Sequence, residues 1–149
     1  MTPEDSIKLR QSQLIDLKFL YMVNFNRTDS SSEPLDNDKL AEYTNNFDPD
    51  KIEVIVYNGK DVGRLRVVRS ADEIYIGGIQ ILPNFQGKGI GTIILQRLID
   101  EAKMTSKNIK LEVQKVNIRA FKLYTKLGFV ITSETNEQFI MKKSTDTAE

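Results

Sequence analysis

Apolar positions change period several times along the chain, and each change marks an element. "IKLRQ" (7–11) reads as a short strand, after which Leu14, Leu17, Leu20 and Tyr21 recur at helical spacing, predicting a helix from Gln13 to Phe25. "NRTDSSSEP" is a polar loop, and Asp36 to Phe47 reads as a second, more polar helix. In "KIEVIVY", Ile52, Val54 and Val56 alternate onto one face of a strand, and Asn58-Gly59 is a two-residue hairpin turn that returns the chain into "DVGRLRVV". A third strand, "IYIGGIQIL" (74–82), leads into a helical stripe of Ile90, Ile94, Leu98, Ile99 and Ala102 that runs to about Thr105. "NIKLEV" (108–113) is a strand, and Asn117 to Leu127 a helix with Gly128 placed to end it. "FVITSE" and "QFIMKK" close the pattern as a hairpin, with 144–149 as a frayed tail. No repeat or linker interrupts the series, which predicts one domain over 1–149, a mixed sheet with helices on its faces.

Composition narrows the chemistry. The 149 residues include no histidine and no cysteine, so Ser-His-Asp and Cys-His catalysis, an acyl-cysteine intermediate and ordinary zinc sites are excluded. Proton transfer falls to Asp, Glu, Tyr, Lys, a terminus or water. The polar, acidic start and the short apolar runs predict neither a secretory signal nor a membrane span, and the absence of disulfides fits a cytoplasmic home. Net charge is zero, yet residues 1–75 carry 14 acids against 10 bases and residues 76–149 carry 7 against 11. The sharpest excess lies between 29 and 50, where Asp29, Glu33, Asp36, Asp38, Glu42, Asp48 and Asp50 face only Lys39. Such a stretch is either a solvated helix and loop or a surface that attracts a cation.

"PNFQGKGIGTIILQRL" (83–98) places three of the eight glycines within five positions, at the junction of a strand and a helix. Glycines there serve a tight turn or let a ligand reach the N–H groups at the helix start, where the helix dipole favours an anion. The Walker spacing fails because Lys88 is followed by Gly89, and the dinucleotide spacing fails because Gly87, Gly89 and Gly91 are each two apart. The spacing Gln86-x-x-Gly89-x-Gly91 does fit Q-x-x-G-x-G. Further on, "LEVQKVNIRAFKLYTKLGF" (111–129) puts Asn117 and Tyr124 seven residues apart on one helical face, with the small Ala120 between them.

Together these two stretches resemble the GCN5-related N-acetyltransferases, over roughly residues 50–143. The resemblance implies an α/β (mixed α+β) GNAT-like fold: a mostly antiparallel sheet of about seven strands, helices on both faces, and a splayed parallel pair holding the cofactor. It implies acetyl-CoA as cosubstrate, with no metal. The pantetheine arm would pair with the main chain of Ile79 and Ile81, and Gln86, Gly87, Lys88, Gly89, Ile90 and Gly91 would hold the pyrophosphate. Asn117 would join the cofactor contacts, Tyr124 would be the general acid and Glu112 the base, with Glu73 a weaker candidate for the base. Gly77-Gly78 in the same strand is either a functional bulge or merely weakened packing. Lys88, Lys115, Arg119 and Lys122 could sit near phosphates, although solvated side chains are the simpler reading. Leu82 stands where many members have an acidic or polar residue before the proline, which leaves the acceptor side less predictable.

The expected activity is direct acetyl transfer to a primary amine, a small cationic amine or a peptide N-terminus, through a ternary complex. A catalytically silent CoA-binding module is the alternative. No nucleic acid or membrane partner is expected, and the chain would act as a monomer or homodimer.

Overall fold

The structure is a computed structural model that describes residues 6–24 and 37–144. The loop expected at 26–34, Asp36 and most of the frayed tail lie outside the described residues. Seven strands are hydrogen-bonded in the order β1-β2-β3-β4-β5-β7-β6. They are β1 (Ile7–Gln11), β2 (Ile52–Tyr57), β3 (Lys60–Arg69), β4 (Glu73–Ile81), β5 (Asn108–Gln114), β6 (Val130–Glu134) and β7 (Gln138–Lys143). Among the described residues four α-helices accompany them: α1 (Leu17–Asn24), α2 (Asn37–Asn46), α3 (Ile90–Met104) and α4 (Ile118–Lys126). Among the described residues no helix is long and apolar enough to cross a membrane. The described residues form two compact units, divided between Arg66 and Val67, between Gly78 and Ile79, and between Ile90 and Gly91, with the stretch from Ile79 to Ile90 belonging to the first.

In the first unit β1 and β3 flank β2, both antiparallel to it. The expected turn joins β2 to β3: Asn58 and Gly59 both have positive φ (51° and 81°), the signature of a type I′ hairpin. Two details depart from the pattern. Val54 and Ile55 are both fully buried because β2 is covered on both faces, and Val56, just past a register shift between Ile55 and Val56, is only partly buried. Leu14, expected on the buried helical stripe, is 72% exposed. The chain makes a 3₁₀ turn over Leu14–Asp16 before α1 begins, and that turn buries Asp16 instead. Asp16 accepts the Gln13 N–H at 2.9 Å and both arms of the Arg10 guanidinium at 2.9 and 2.7 Å. Arg10 also donates to Asp61 on β3, at 3.0 Å. Satisfying a buried carboxylate outweighs burying Leu14. Leu20, Ile52 and Val54 form the local core, packed by Phe19, Tyr43 and Phe47.

In the second unit β4 and β5 run parallel, as a crossover through α3 requires. The α3 residues Ile94, Leu95, Leu98, Ile99 and Ala102 are buried, and Ile90 at the helix start is buried as well, so the predicted stripe is present. Registered pairing covers only Glu73–Ile76 with Asn108–Leu111. β5 is registered with β7 from Ile109 to Gln114, so that Glu112, Val113 and Gln114 lie past the last rung shared with β4.

Candidate active site

The glycine stretch of the first unit is a folded loop. Leu82 donates its N–H to the Val62 carbonyl at 2.8 Å, and Pro83–Phe85 make one 3₁₀ turn. The Phe85 ring stands edge-on to Tyr57, with centroids 6.3 Å apart. Gln86 reaches back so that its side-chain amide donates to the Ile81 carbonyl at 2.8 Å. This explains why a long amide side chain belongs at the start of the motif: it ties the loop to the end of β4. Gly87 and Gly89 then take φ of 79° and 80°, a region that costs an L-residue about 1–2 kcal/mol. A Cβ at either position would meet nothing within 4 Å. Packing therefore does not demand glycine at these positions; the backbone conformation does. Lys88, between them, is exposed, and the first turn of α3 carries no acidic residue.

Gly63 on β3 shows how tightly β4 is held just before this loop. A Cβ there would collide with the Gln80 carbonyl and lie 3.3 Å from the Ile81 Cα. Ile79 and Ile81, the residues expected to offer their main chain to a ligand, are thus on a strand pressed against its neighbour.

In the second unit the stretch "NIRAFKLYTKLGF" resolves into a helix with both ends capped. Asn117 is the N-cap: its side-chain oxygen accepts the Ala120 N–H at 3.2 Å. The cap takes up one of the two lone pairs of that oxygen. At the other end Gly128, φ 100°, donates to the Thr125 carbonyl, and Phe129 donates to the Tyr124 carbonyl, each at 3.0 Å, which is a Schellman stop. The same motif places the Tyr124 ring edge-on to Phe129, with centroids 6.0 Å apart. The spacing from Tyr124 to Gly128 and Phe129 is thus a device that both ends the helix and fixes the tyrosine. Burial pushes the Tyr124 phenol up from its ordinary value, so it stays protonated well above neutral pH.

Glu112 is exposed on β5, opposite Ile140 of β7, one residue past the last rung shared with β4. Glu73, the weaker candidate, sits at the other end of that pairing, three rungs from Ile76, and lies 3.9 Å from Lys142. Lys115 is engaged with Glu134 at 2.5 Å and lies over the Phe139 ring at 5.3 Å. Arg119 and Lys122 are exposed. A polar group passed over by sequence reasoning is Arg64, only 6% exposed, which donates to the Gln80 side chain. The alternation of "GRLRVV", with Arg64 and Arg66 on one face and Leu65 and Val67 on the other, carried the signal.

A sequence model of the acetyltransferase (GNAT) family matches residues 17–129. The chain belongs to that family. Among curated proteins it is 37% identical over 57 residues to the L-amino acid N-acyltransferase MnaT of Escherichia coli, covering 38% of this chain. That alignment spans 33% of MnaT, about a third of its length. Among solved structures the fold is similar to that of Arabidopsis thaliana Naa50 in complex with the bisubstrate analogue CoA-Ac-MVNAL: TM-score 0.65, 23% identity, 93% of this chain and 99% of that one. It is similar as well to spermidine N-acetyltransferase from Vibrio cholerae, with TM-score 0.69, 24% identity and 95% of each chain covered. These likenesses show that the GNAT fold is shared.

Proposed function

We propose that the chain transfers the acetyl group of acetyl-CoA directly to a primary amine. The observation that carries the reading is the pair Gly87 and Gly89, left-handed and facing open space at an acid-free helix start, a cradle that a phosphate would fill. The main-chain N–H groups of 87–91, with Lys88, would take the pyrophosphate, while Gln86 holds the loop in shape. The main chain of Ile79 and Ile81 would pair with the pantetheine arm as a strand would, and the Asn117 amide would donate to it.

Acetyl-CoA supplies an activated thioester. Tyr124, kept protonated by its burial, would give its proton to the departing thiolate. Glu112, exposed beyond the last β4–β5 rung, would take the proton of the attacking amine directly or through water. With no cysteine or histidine in the chain, direct transfer in a ternary complex needs no covalent relay through the protein. The acceptor would be a small cationic amine or a peptide N-terminus; the relatives are named for L-amino acids and spermidine, and one was captured with a peptide-bearing analogue. Asp38 and Glu42, exposed on α2, would favour the approach of an ammonium group.

The test is thiol release from acetyl-CoA across amino acids, polyamines, aminoglycosides and N-terminal peptides, with mass spectrometry of the acetylated product. Amine-dependent release supports the proposal. Tight CoA binding with no turnover on any amine would leave a silent binding module instead.

A further inference from the structure

Arg64 lies in mid-β3, paired with Val54 of β2, and is 6% exposed. A buried guanidinium is ordinarily compensated by a carboxylate, because an unpaired charge in the interior costs several kcal/mol. Arg64 has none. Its partners are neutral: one arm donates to Gln80 of β4, and the Tyr43 hydroxyl of α2 lies beside it. Its Nε is buried and without a partner among the described residues. The other charge acting on it is of the same sign, Arg66, two residues along on the same face of β3. Among the described residues the spot is a positive site with no carboxylate against it, built of a buried arginine with a second arginine beside it.

Its place on β4 gives it a use. Gln80 sits between Ile79 and Ile81, the two residues whose main chain is assigned above to the thioester arm. We propose that Arg64, with Gln80 and Tyr43 around it, receives the carboxylate of the acceptor, so that the acceptor is an amine bearing a carboxylate, an α-amino acid in its simplest form. A carboxylate matches the guanidinium fork in shape and supplies the missing charge. An α-amine stands on the carbon next to that carboxylate, so anchoring one end holds the other near β4. Access requires α2 to give way, and α2 is suited to that: none of its residues is fully buried, and its contact with the core runs through Tyr43.

The inference rests on the acetyl-transfer reading and narrows its acceptor to a zwitterion, in place of a polyamine or a peptide terminus. The experiment compares the common L-amino acids, each against its own carboxamide, as acceptors for the full chain with acetyl-CoA. The carboxylate member of at least one pair should be preferred in kcat/KM by about 10- to 100-fold, the usual worth of a charge-assisted pair, with the difference in KM. Arg64→Gln should collapse that ratio towards one, and Arg64→Lys should restore part of it. A wild-type enzyme that acetylates carboxamides or polyamines as well as the acids would overturn this inference and leave acetyl transfer standing. Where Arg64→Gln does not fold, the wild-type ratio and calorimetric binding of the preferred amino acid against its carboxamide decide alone. Equal binding of the two, or of neither, overturns it even in the absence of turnover.

Discussion

Gly59 and Gly89 are a matched pair that separates fold from function. Their φ angles are 81° and 80°, and a Cβ at either would meet nothing within 4 Å. Alanine at each position therefore pays the same backbone penalty, about 1–2 kcal/mol, partly offset by about 0.4–1 kcal/mol of lost freedom in the unfolded chain. The net cost, about 1 kcal/mol, should lower Tm by roughly 2–4 °C in a chain of this size. Only Gly89 lies in the proposed phosphate cradle. Its new methyl group would hold the ligand off the main-chain N–H groups, and losing one charge-assisted hydrogen bond is worth about 1.5–3 kcal/mol, or roughly 10- to 150-fold in Kd. Differential scanning calorimetry of both variants, with titration calorimetry of CoA, reads the two effects separately. Equal Tm losses with a CoA defect confined to Gly89→Ala are expected. If Gly89→Ala bound CoA as tightly as Gly59→Ala, the cradle would be only a turn.

Other expectations follow from single contacts. The Arg10 guanidinium, helped by the Gln13 N–H, holds the Asp16 carboxyl below the usual carboxylate range against the opposing effect of burial. The stability it contributes is therefore present above the ordinary carboxylate pKa and is lost as pH falls through the lower folded value. Asp16→Asn should cost about 1–3 kcal/mol at pH 7 in urea unfolding, and the gap from wild type should close as the pH is taken down below the ordinary carboxylate pKa; a gap independent of pH would contradict the pairing. Glu112→Gln should lower kcat most at low pH, where less free amine is present and a base matters more, and an unchanged pH–rate profile would remove Glu112 from the chemistry.

Elements with strong periodicity were readable from the sequence to within a residue or two. The Asn58-Gly59 turn, the α3 stripe and the Gly128 stop each depend on neighbours a few positions away, and the sequence displays those neighbours directly. What it hid depends on partners far along the chain. Arg10 meets Asp61 across 51 residues, and that network turns Leu14 outward against its own helical spacing. Val54 and Ile55 are buried side by side because both faces of β2 are covered, a fact no single strand announces. In the candidate site the two motifs were legible as motifs, but their internal logic was not: Gln86 as a tie to Ile81, Asn117 as a helix cap, Tyr124 braced on Phe129. Nothing in the local sequence separates Arg64 from Arg66; burial does.

Acetyl transfer with Tyr124 as the acid is tested most directly by one comparison, kcat for wild type and Tyr124→Phe on the best acceptor, with the Kd for acetyl-CoA measured alongside. Phenylalanine keeps the ring and its edge-on contact with Phe129 and removes only the hydroxyl. The account predicts an unchanged Kd and a kcat lower by about 10²–10⁴. A Tyr124→Phe enzyme that turned over at the wild-type rate would contradict it.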